Sequence, residues 1–573
     1  MTGTNNTDKM NYQYVELHCH SNYSFQEGAS FINELLTHAV ELGYTALAIT
    51  DHDNLCGAME FTRVAHSVEI QPIIGAEVTL TGGYHLTLLV ENRQGYGNLC
   101  QIISDAHLRN DRKKPEIDSR FLENHAEGLI LLTGCRKGEV ASLVESGHFK
   151  EAEVVLNHYL EYFGTDNVYV ELQNNLVYGD TERNRNLVGL SRKLEISTVA
   201  TNNVHYHIRE RHQLQDCLVA IKQLKRLEEC HRERRANSEF YLKSPQKMVA
   251  MFQDYPEAIS NTLNIAKRCA GFDLTRDLKY KFPESSIPQG FTQESYLRYL
   301  CNQAAIRRYG ALSTKVKDRL DKEFNLIRRH NLAGFFLIYH DIIQIARAVM
   351  IDLELTSPKI PLEENPPGRG RGSSVAMLIG YLIGLSHIDP LQFNLSLNRF
   401  LPDDDMASVP DIDLDFPRNI REELIKRVHK KYGFDHAALT GMIPTYKLKS
   451  ATRALGKALG LPLDQVYRLA KQSDHSNAGS LHKEMTALTE FQDVLKAPGW
   501  TDLIRLAKEL DGFPKYLAQH PGGMVINSTR LTEIVPIQPG AIEGRYVMQW
   551  NKDSIDEAGF VKIDFLALGT LSQ

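Results

Sequence analysis

The first two hundred residues alternate short apolar runs with stretches of helical periodicity. The apolar runs that predict strands are Ala46–Thr50, Pro72–Glu77, Tyr84–Val90, Gly128–Thr133 and Ser197–His205. Residues 14–20 alternate like a further strand, and helical spacing falls between the runs, at Phe31–Leu42 and Gly57–His66. Strands that alternate with helices along the chain predict an α/β barrel.

Nearly every predicted strand of this region ends in His, Glu or Cys. Functional groups of an α/β barrel collect at the carboxyl ends of its strands. His18 and His20 fall on one face of their strand, because successive side chains alternate. Any single histidine is more often a packed or surface residue, but repetition at successive strand ends favours a cluster. Nitrogen, carboxylate and thiolate ligands suit Zn²⁺, Mn²⁺ or Fe²⁺, so the pattern predicts a metal site.

A second motif, Val409–Phe416, reads Val-Pro-Asp-Ile-Asp-Leu-Asp-Phe. On a strand, Asp411, Asp413 and Asp415 share one face and the apolar residues between them face a core. Three carboxylates on one face repel one another unless cations lie between them, and Mg²⁺ prefers carboxylate oxygen. The motif predicts a divalent-metal site, and the alternative is a solvated acidic edge strand.

A glycine-rich segment, Gly368–Ser374, comes about forty residues before the acidic motif and precedes the apolar run Val375–Leu385. We predict a turn that leads into a helix, where backbone amides, hydroxyl groups and arginines bind phosphate. Such loops are often only flexible surface. Proximity to the acidic motif favours a site that brings a triphosphate and metal together.

The final strand-like run, Val561–Leu566, carries Asp564 as a further candidate carboxylate, with Lys562 on the same face. Two metals held by aspartates clamp the attacking and leaving oxygens of a phosphoryl displacement. Lys562 can neutralise charge at the reacting phosphate. Together these groups predict transfer of a nucleotide from a nucleoside triphosphate to a primer hydroxyl.

The stretch Arg418–Lys457 is basic, with ten cations on mostly helical patterns, which suits a channel for the DNA backbone. They are Arg418, Arg421, Lys426, Arg427, Lys430, Lys431, Lys447, Lys449, Arg453 and Lys457. The alternative is a solvated helix face. We interpret an earlier basic run, Lys222–Arg235, as such a solvated face.

Composition limits the class of protein. A chain of 573 residues is too long for one core and predicts two to four domains. Its eight cysteines include no C-x-x-C pair, which excludes a zinc ribbon or finger and gives no disulfide framework. The amino terminus lacks a secretory pattern, and Val375–Leu385 is too short to cross a bilayer. We therefore expect no membrane association and a cytoplasmic location.

The order of the amino-terminal pieces resembles the PHP domain, the polymerase and histidinol phosphatase family. The resemblance carries the metal-ligand pattern onto His18, His20, Glu27, His52, Glu77, His85, Cys135 and His205. Asn203 stands where the family often has Asp, so it brings an oxygen but no charge to the position of a third metal. Members with the full set are phosphoesterases or exonucleases that act on DNA ends. The resemblance implies Zn²⁺ or Mn²⁺ there.

The second half resembles the bacterial C-family DNA polymerases, the DNA polymerase III alpha subunits. The matching segments are Gly370–Ser374, Val409–Phe416, His520–Gly523, Gln549 and Lys562–Leu566. Resemblance implies Asp411, Asp413 and Asp564 as catalytic aspartates that bind Mg²⁺, with Asp415 as their neighbour. It implies Gly372 and Ser373 as residues of the phosphate loop, and Arg399 and Lys562 as cations that contact phosphate.

Within that family, the chain resembles the error-prone, damage-response branch. The residues of the glycine-rich and acidic motifs carry this resemblance, and the segments Ser238–Leu242 and Phe272–Asp277 support it. One departure is the acidic segment Pro402–Met406, which stands where the family often has an Arg.

The resemblance implies an α/β multidomain fold. We expect a PHP-type barrel over residues 1–284, with a helical extension from about 212, and a mixed-sheet palm over 285–440. A helical thumb over 441–514 is inserted before the palm resumes at 515–573. Fingers and tail are absent from this arrangement, so we expect an amino-terminal fragment with weak or no processive synthesis.

The implied partners are DNA primer–template and deoxynucleoside triphosphates. A sliding clamp and accessory repair proteins are expected for the full-length family, although their attachment region is absent. Two alternatives stay open. One is a PHP-type metal-dependent phosphoesterase or 3′-exonuclease whose polymerase half is inactive, and the other is a non-catalytic DNA-binding module.

Overall fold

The computed structural model describes residues 13–112, 114–278, 287–371, 375–396, 412–473, 477–560 and 562–568. The chain divides into two compact units. The first unit comprises Met1–Asp277 and Ile443–Leu517, and the second comprises Leu278–Met442 and Ala518–Gln573. Each unit contains one β-sheet surrounded by helices, which confirms the predicted α/β multidomain class. The domain boundaries at 284, 440 and 514 stay predictions.

In the described part of the first unit, the sheet has six strands in sequence order. They are β1 (Ala46–Ile49), β2 (Gln71–Leu80), β3 (Tyr84–Val90), β4 (Leu129–Leu132), β5 (Val168–Gln173) and β6 (Ser197–Thr201). Strand β3 runs antiparallel to both its neighbours, and the other pairs are parallel. Glu16 bridges Leu47 at one edge, and Cys19 bridges Val204 just beyond β6 at the other. The segment 16–19 therefore contacts both edges, and the sheet curls into the barrel that the sequence predicts.

Helices cover this sheet. They are α1 (Ile32–Leu42), α2 (Ala58–Ser67), α3 (Arg93–Arg109), α4 (Glu139–Glu145), α5 (Phe149–Phe163), α6 (Asp180–Lys193), α7 (His212–Gln223), α8 (Pro245–Met251), α9 (Pro256–Cys269) and α10 (Leu274–Asp277). Helix α1 buries Ile32, Leu35, Leu36 and Ala39, the stripe that helical periodicity places on one face. It ends at Gly43, whose φ of 82° is readily adopted by glycine.

The second unit is built on a mixed sheet. Its strands are β7 (Arg369–Gly370), β8 (Leu414–Pro417), β9 (Ala437–Met442), β10 (Ala518–Ile526), β11 (Ile537–Pro539), β12 (Tyr546–Met548) and β13 (Lys562–Leu568), in the order β11-β12-β9-β10-β13-β8-β7. Its first five helices are α11 (Gln293–Tyr309), α12 (Thr314–Arg329), α13 (Ala333–Asp352), α14 (Leu378–Leu382) and α15 (Arg418–Tyr432). Strands β8 and β13 are parallel neighbours beside the edge strand β7, and they contain residues 414–416 of the acidic motif and the carboxyl-terminal run.

The segment between β9 and β10 is helical, as predicted. It forms α16 (Leu448–Ala458), α17 (Leu463–Gln472), α18 (Leu481–Ala487) and α19 (Pro498–Leu510), and α20 (Lys552–Glu557) follows in the second unit. The α16–α19 segment belongs to the first unit, where Leu455 and Trp500 share a core with Leu214 and Leu218 of α7.

The helix predicted after the glycine-rich segment is shorter than expected. The apolar run Val375–Leu385 contains the five-residue helix α14, and Gly384, with φ of 87°, follows shortly after it. At the start of the segment, Arg369 and Gly370 pair with β8 as a strand. Residues 372–374 lie outside the described residues, so the predicted turn stays a prediction.

The longest apolar helix of the second unit is α13. The apolar segment 334–339 and the residues that follow it form this one helix of 20 residues. Among the described residues, α13 alone is long and apolar enough to cross a membrane by length and composition. Its apolar window is 61% buried, as in the core helix of a folded unit.

Candidate metal centre and palm carboxylates

Glu77 of β2 places its carboxylate among four histidines. Oε1 lies 3.3 Å from His18 Nε2 and 3.1 Å from His85 Nδ1. Oε2 lies 2.9 Å from His52 Nδ1 and 3.7 Å from His20 Nε2. Ligand atoms of His18, His20 and Glu77, and of His52, Glu77 and His85, form two groups in which all atoms lie within 4.8 Å of one another. A carboxylate shared by two such groups can bridge two metal ions.

The barrel brings these side chains together from distant parts of the chain. His18 and His20 lie on the segment that closes the barrel, and His52 follows β1. His85 is the second residue of β3, and because β3 runs antiparallel to β2, it lies opposite Thr79 near the end of that strand. The cluster therefore lies at the carboxyl end of the parallel strands, where barrels gather functional groups.

The donor atoms of this cluster fit a metal. Within the described part of the chain, His18 Nε2, His20 Nε2 and Glu77 Oε1 are buried and have no hydrogen-bond partner. A buried polar atom without a partner is unfavourable, and a cation coordinated by these atoms relieves that cost. Imidazole nitrogen with carboxylate oxygen is a ligand set for Zn²⁺ or Mn²⁺.

Charges within the cluster shift the pKa values of its members. Burial opposes a charge on His18, but Glu171 and Glu77 outweigh it and raise the pKa of His18 to about 10. Burial opposes the charge on Glu77 too, yet His85, His18 and His52 hold its pKa well below the usual range. Burial lowers the pKa of His20 to about 3 against the opposing charge of Glu77, and the neighbouring His18, His52 and Arg235 lower it further.

Cys135 and His205 lie beside this cluster. Cys135 follows β4, and its Sγ lies 3.6 Å from His85 Nδ1. Burial, followed by the charge of Glu77, raises the pKa of the Cys135 thiol well above its usual value. The ring of His205 lies 4.4 Å from that of His20, measured between centroids. Both residues are therefore close to the histidines around Glu77.

Glu27 and His205 contact cations of the chain itself. Lys222 forms an ion pair with Glu27, and Arg235 donates a hydrogen bond to His205 Nε2. The interpretation of Lys222–Arg235 as a solvated helix face is therefore wrong for these two residues. Helix α7 ends at Gln223, and the remainder is a short 3-10 helix with turns that bring Arg235 to His205.

Glu171 is a residue of the site that the sequence analysis missed. It lies on β5, which was not predicted, and its Oε1 lies 2.7 Å from His18 Nδ1. Gln173 Nε2 also donates to Glu171 Oε1 at 2.7 Å. A carboxylate behind a metal-binding histidine orients its ring and strengthens its lone pair. The alternation in Val168–Gln173 was the available signal.

In the second unit, the acidic motif and the carboxyl-terminal run lie on neighbouring strands. Phe565 of β13 is in register with Leu414 of β8, so Asp564 lies beside Asp413. Lys562 Nζ donates to Asp564 Oδ2 at 2.6 Å. Burial, followed by the charge of Asp564, raises the pKa of Asp413. This is the repulsion that cations between the two carboxylates would relieve.

Asp415 contacts the glycine-rich segment. Its buried carboxylate forms an ion pair with Arg371, and the Arg371 amide donates to the Asp413 carbonyl at 3.0 Å. Ile412, Leu414 and Phe416 are buried, as the alternation predicts. The glycine-rich segment is thereby attached to the acidic strand by both a side chain and the backbone.

Gly523 of β10 leaves room for Asp564, its partner across the strand pair. A Cβ at Gly523 would lie 2.6 Å from Thr440 Oγ1 and 2.9 Å from both Asp564 Oδ1 and His520 Nδ1. His520 Nδ1 accepts a hydrogen bond from the Gly523 amide at 2.7 Å. The His-Pro-Gly-Gly segment therefore packs directly against the carboxylate.

Four predicted site residues lie outside the described residues: Gly372, Ser373, Arg399 and Asp411. The predicted basic stretch is divided between the units, with α15 in the second and α16 in the first. On α15, Arg421, Arg427 and Lys431 form ion pairs with carboxylates. A DNA channel along this stretch stays a prediction.

Comparison with known proteins gives two family matches. Residues 295–567 match the bacterial DNA polymerase III alpha NTPase domain, and residues 16–175 match the PHP domain. The predicted recognition of both families is confirmed.

Individual relatives match along nearly the whole chain. The error-prone DNA polymerase of Symbiobacterium thermophilum is 35% identical, and the match covers 98% of this chain and 51% of the relative. The DNA polymerase III subunit alpha of Treponema pallidum is 34% identical, covering 98% and 48% respectively. An error-prone DNA polymerase of Pseudomonas fluorescens is 34% identical, covering 98% and 52%. The chain spans about half the length of these relatives, and it belongs to the bacterial DNA polymerase III alpha family, with a PHP domain in its amino-terminal part.

Proposed function

We propose that this chain supplies the catalytic palm of an error-prone DNA-directed DNA polymerase. It transfers deoxynucleotides from deoxynucleoside triphosphates to the 3′ end of a primer on a DNA template. The observation that supports this most directly is the adjacency of Asp413 and Asp564, with Lys562 paired to Asp564. We propose Mg²⁺ as the palm metal and the cytoplasm as the location, and a sliding clamp stays an expectation from the family.

Each residue has a distinct role in this proposal. Divalent cations, when bound, would neutralise charge on the attacking and leaving oxygens. Asp413 and Asp564, with Asp411 of the same motif, hold those cations. Lys562 is held by Asp564, and its ammonium group stabilises negative charge on the reacting phosphate.

The phosphate-binding residues complete the proposed palm. Gly372, Ser373 and Arg399 bind the remaining phosphates. Asp415 keeps Arg371 and the glycine-rich segment against the acidic strand through the ion pair described above. A phosphate group bound by that segment is thereby held near Asp413.

Single-nucleotide addition tests the proposed palm. A labelled primer on a template is incubated with the chain, the next deoxynucleoside triphosphate and Mg²⁺, and extension by one residue is measured. We expect slow addition that Asp413→Asn abolishes. A matched control is Asp435→Asn, which removes a carboxylate near the surface of the same unit, paired only to His436 and Arg530 among the contacts described. Addition that persists in Asp413→Asn would overturn the proposal.

A second function is supported by the Glu77 cluster. We propose that the PHP domain binds Zn²⁺ or Mn²⁺ and hydrolyses phosphoesters at DNA 3′ ends. The buried Nε2 atoms of His18 and His20 support this function. They have no hydrogen-bond partner among the described residues and lie near the carboxylate of Glu77, where they could bind a metal. The metals, when bound, would activate water for attack on phosphorus.

Release of nucleotides from a labelled single strand measures this second activity. We expect release that depends on Mn²⁺ and disappears in Glu77→Gln. The control His38→Gln changes a partly buried histidine of α1 that pairs with the exposed Glu41. Release unaffected by Glu77→Gln would contradict the proposal. DNA binding that neither Asp413→Asn nor Glu77→Gln changes, without either activity, would instead favour a DNA-binding module.

A further inference from the structure

Arg235 forms a hydrogen bond with the His205 nitrogen that would coordinate a metal. His205 Nδ1 lies 2.8 Å from the Asn203 carbonyl oxygen, which fixes the proton on Nδ1. The lone pair is therefore on Nε2, and Arg235 donates its hydrogen bond to that atom. A single lone pair cannot bind a guanidinium hydrogen and a metal ion together. His205 is fully buried, so its ring has no second orientation open to solvent.

The next two ligand positions also fail to form a metal site. Glu27 is paired with the ammonium group of Lys222. Asn203 offers a buried Oδ1 without a hydrogen-bond partner among the described residues, but as an amide it brings no negative charge to hold a cation. Among the described residues, the two groups of converging ligand atoms include neither Glu27 nor His205. Both groups instead use Glu77.

Two cations of the chain contact the predicted ligands at this end of the site: Arg235 contacts His205 and Lys222 contacts Glu27. Arg235 also packs over the ring of Phe240, with Cζ 5.0 Å from the ring centroid, so a neighbouring side chain holds its guanidinium in place. Lys222 is 40% exposed, which makes its ion pair weak, so Arg235 is the stronger of the two.

We propose that Arg235 and Lys222 replace one metal ion at the Glu27–Asn203–His205 end of the PHP site. The site then holds two metals at Glu77 rather than three. This inference rests on the proposed metal centre at Glu77. It implies that the missing third site can be restored, because removing both cations frees the oxygen of Glu27 and the nitrogen of His205.

Metal stoichiometry tests the inference without any enzyme assay. All proteins carry Asp413→Asn and Asp564→Asn, so that these palm carboxylates add no metal. Each is loaded with Mn²⁺, passed through a desalting column and analysed for bound metal per chain by mass spectrometry. We expect two equivalents in this background and three when Lys222→Gln, Arg235→Gln and Asn203→Asp are added.

Two controls separate the specific effect from a loss of charge. Lys225→Gln with Arg234→Gln removes two cations that pair instead with Glu233 and Asp216, and should leave two equivalents. Arg235→Lys with Lys222 intact keeps both charges and should also leave two. Circular dichroism melting curves verify that each variant folds.

The outcomes distinguish this inference from the metal centre itself. Three equivalents in the background protein would overturn the inference and leave the centre at Glu77 intact. No bound metal in the background protein would overturn the centre and the inference with it. A folded triple variant that binds no more metal than the background would overturn the inference alone.

Discussion

Lys562 and Asp564 form a hydrogen-bonded ion pair on one face of β13, with Nζ 2.6 Å from Oδ2 and both residues at most 9% exposed. Removing one partner of a buried pair leaves an uncompensated charge, which costs about 3–5 kcal/mol. Lys562→Met should therefore destabilise the second unit more than the double variant Lys562→Met with Asp564→Leu. Urea denaturation of the two variants and the wild-type chain measures their free energies of unfolding and so their order of stability. A double variant less stable than Lys562→Met would contradict this account of the pair.

Because Gly523 lies so close to Asp564, we expect that one added methyl group greatly lowers the rate of nucleotide addition. Gly523→Ala places a Cβ within 2.9 Å of Asp564 Oδ1, so the carboxylate must move. A shift of about 1 Å at a reacting group lowers a rate by about 10²-fold. Single-nucleotide addition should fall by that amount. Gly189→Ala serves as the control, because its Cβ meets nothing within 4 Å, and equal rates for both variants would contradict the prediction.

Glu171 should act on metal affinity through His18. Glu171→Gln preserves size but removes the charge that lies 2.7 Å from His18 Nδ1. Loss of such an outer carboxylate weakens metal binding by about 10–100-fold. Competition with a metal-binding dye measures the dissociation constant for Mn²⁺. An unchanged constant would show that Glu171 is only a packing residue.

His429 predicts loss of stability in acid. Burial lowers the pKa of His429 in the folded chain to about 4, while an exposed histidine titrates at about 6.5. As pH falls below about 6.5, the unfolded chain takes up the proton first, so the folded state loses stability until pH reaches about 4. The loss is roughly 3 kcal/mol for this shift. His429→Leu should therefore gain stability relative to wild type as the pH falls from 7 to 4.5, as measured by urea denaturation. A difference in free energy of unfolding that does not change with pH would contradict the lowered pKa of His429.

The sequence predicted every strand of the first sheet except β5, because apolar and β-branched residues predominate in those runs. The predicted run Tyr84–Val90 matches β3 at both ends. Strand β5 was missed because it is buried along its whole length and yet contains Glu171 and Gln173. Polar residues at buried strand positions make the segment resemble an exposed one. The partner of Glu171, His18, lies more than a hundred residues away in the chain, so no nearby residue indicates the contact.

The role of single charged residues was harder to predict than the fold. Arg235 and Arg234 are neighbours in one basic run, but Arg234 pairs with Asp216 and Arg235 reaches His205. Nothing local distinguishes them, because the direction of each side chain is set by the turns after α7. Similarly, the amphipathic pattern of α16–α19 predicts helices with one apolar face. It does not indicate that this face packs against Leu214 and Leu218.

The most direct test of two separate active sites assays both activities on the same three proteins. Wild type, Asp564→Asn and Glu77→Gln are each measured for single-nucleotide addition and for nucleotide release from DNA 3′ ends. We predict that Asp564→Asn loses addition and keeps release, and that Glu77→Gln loses release and keeps addition. Loss of both activities in either variant, with the fold intact by circular dichroism, or addition that survives Asp564→Asn, would contradict the account.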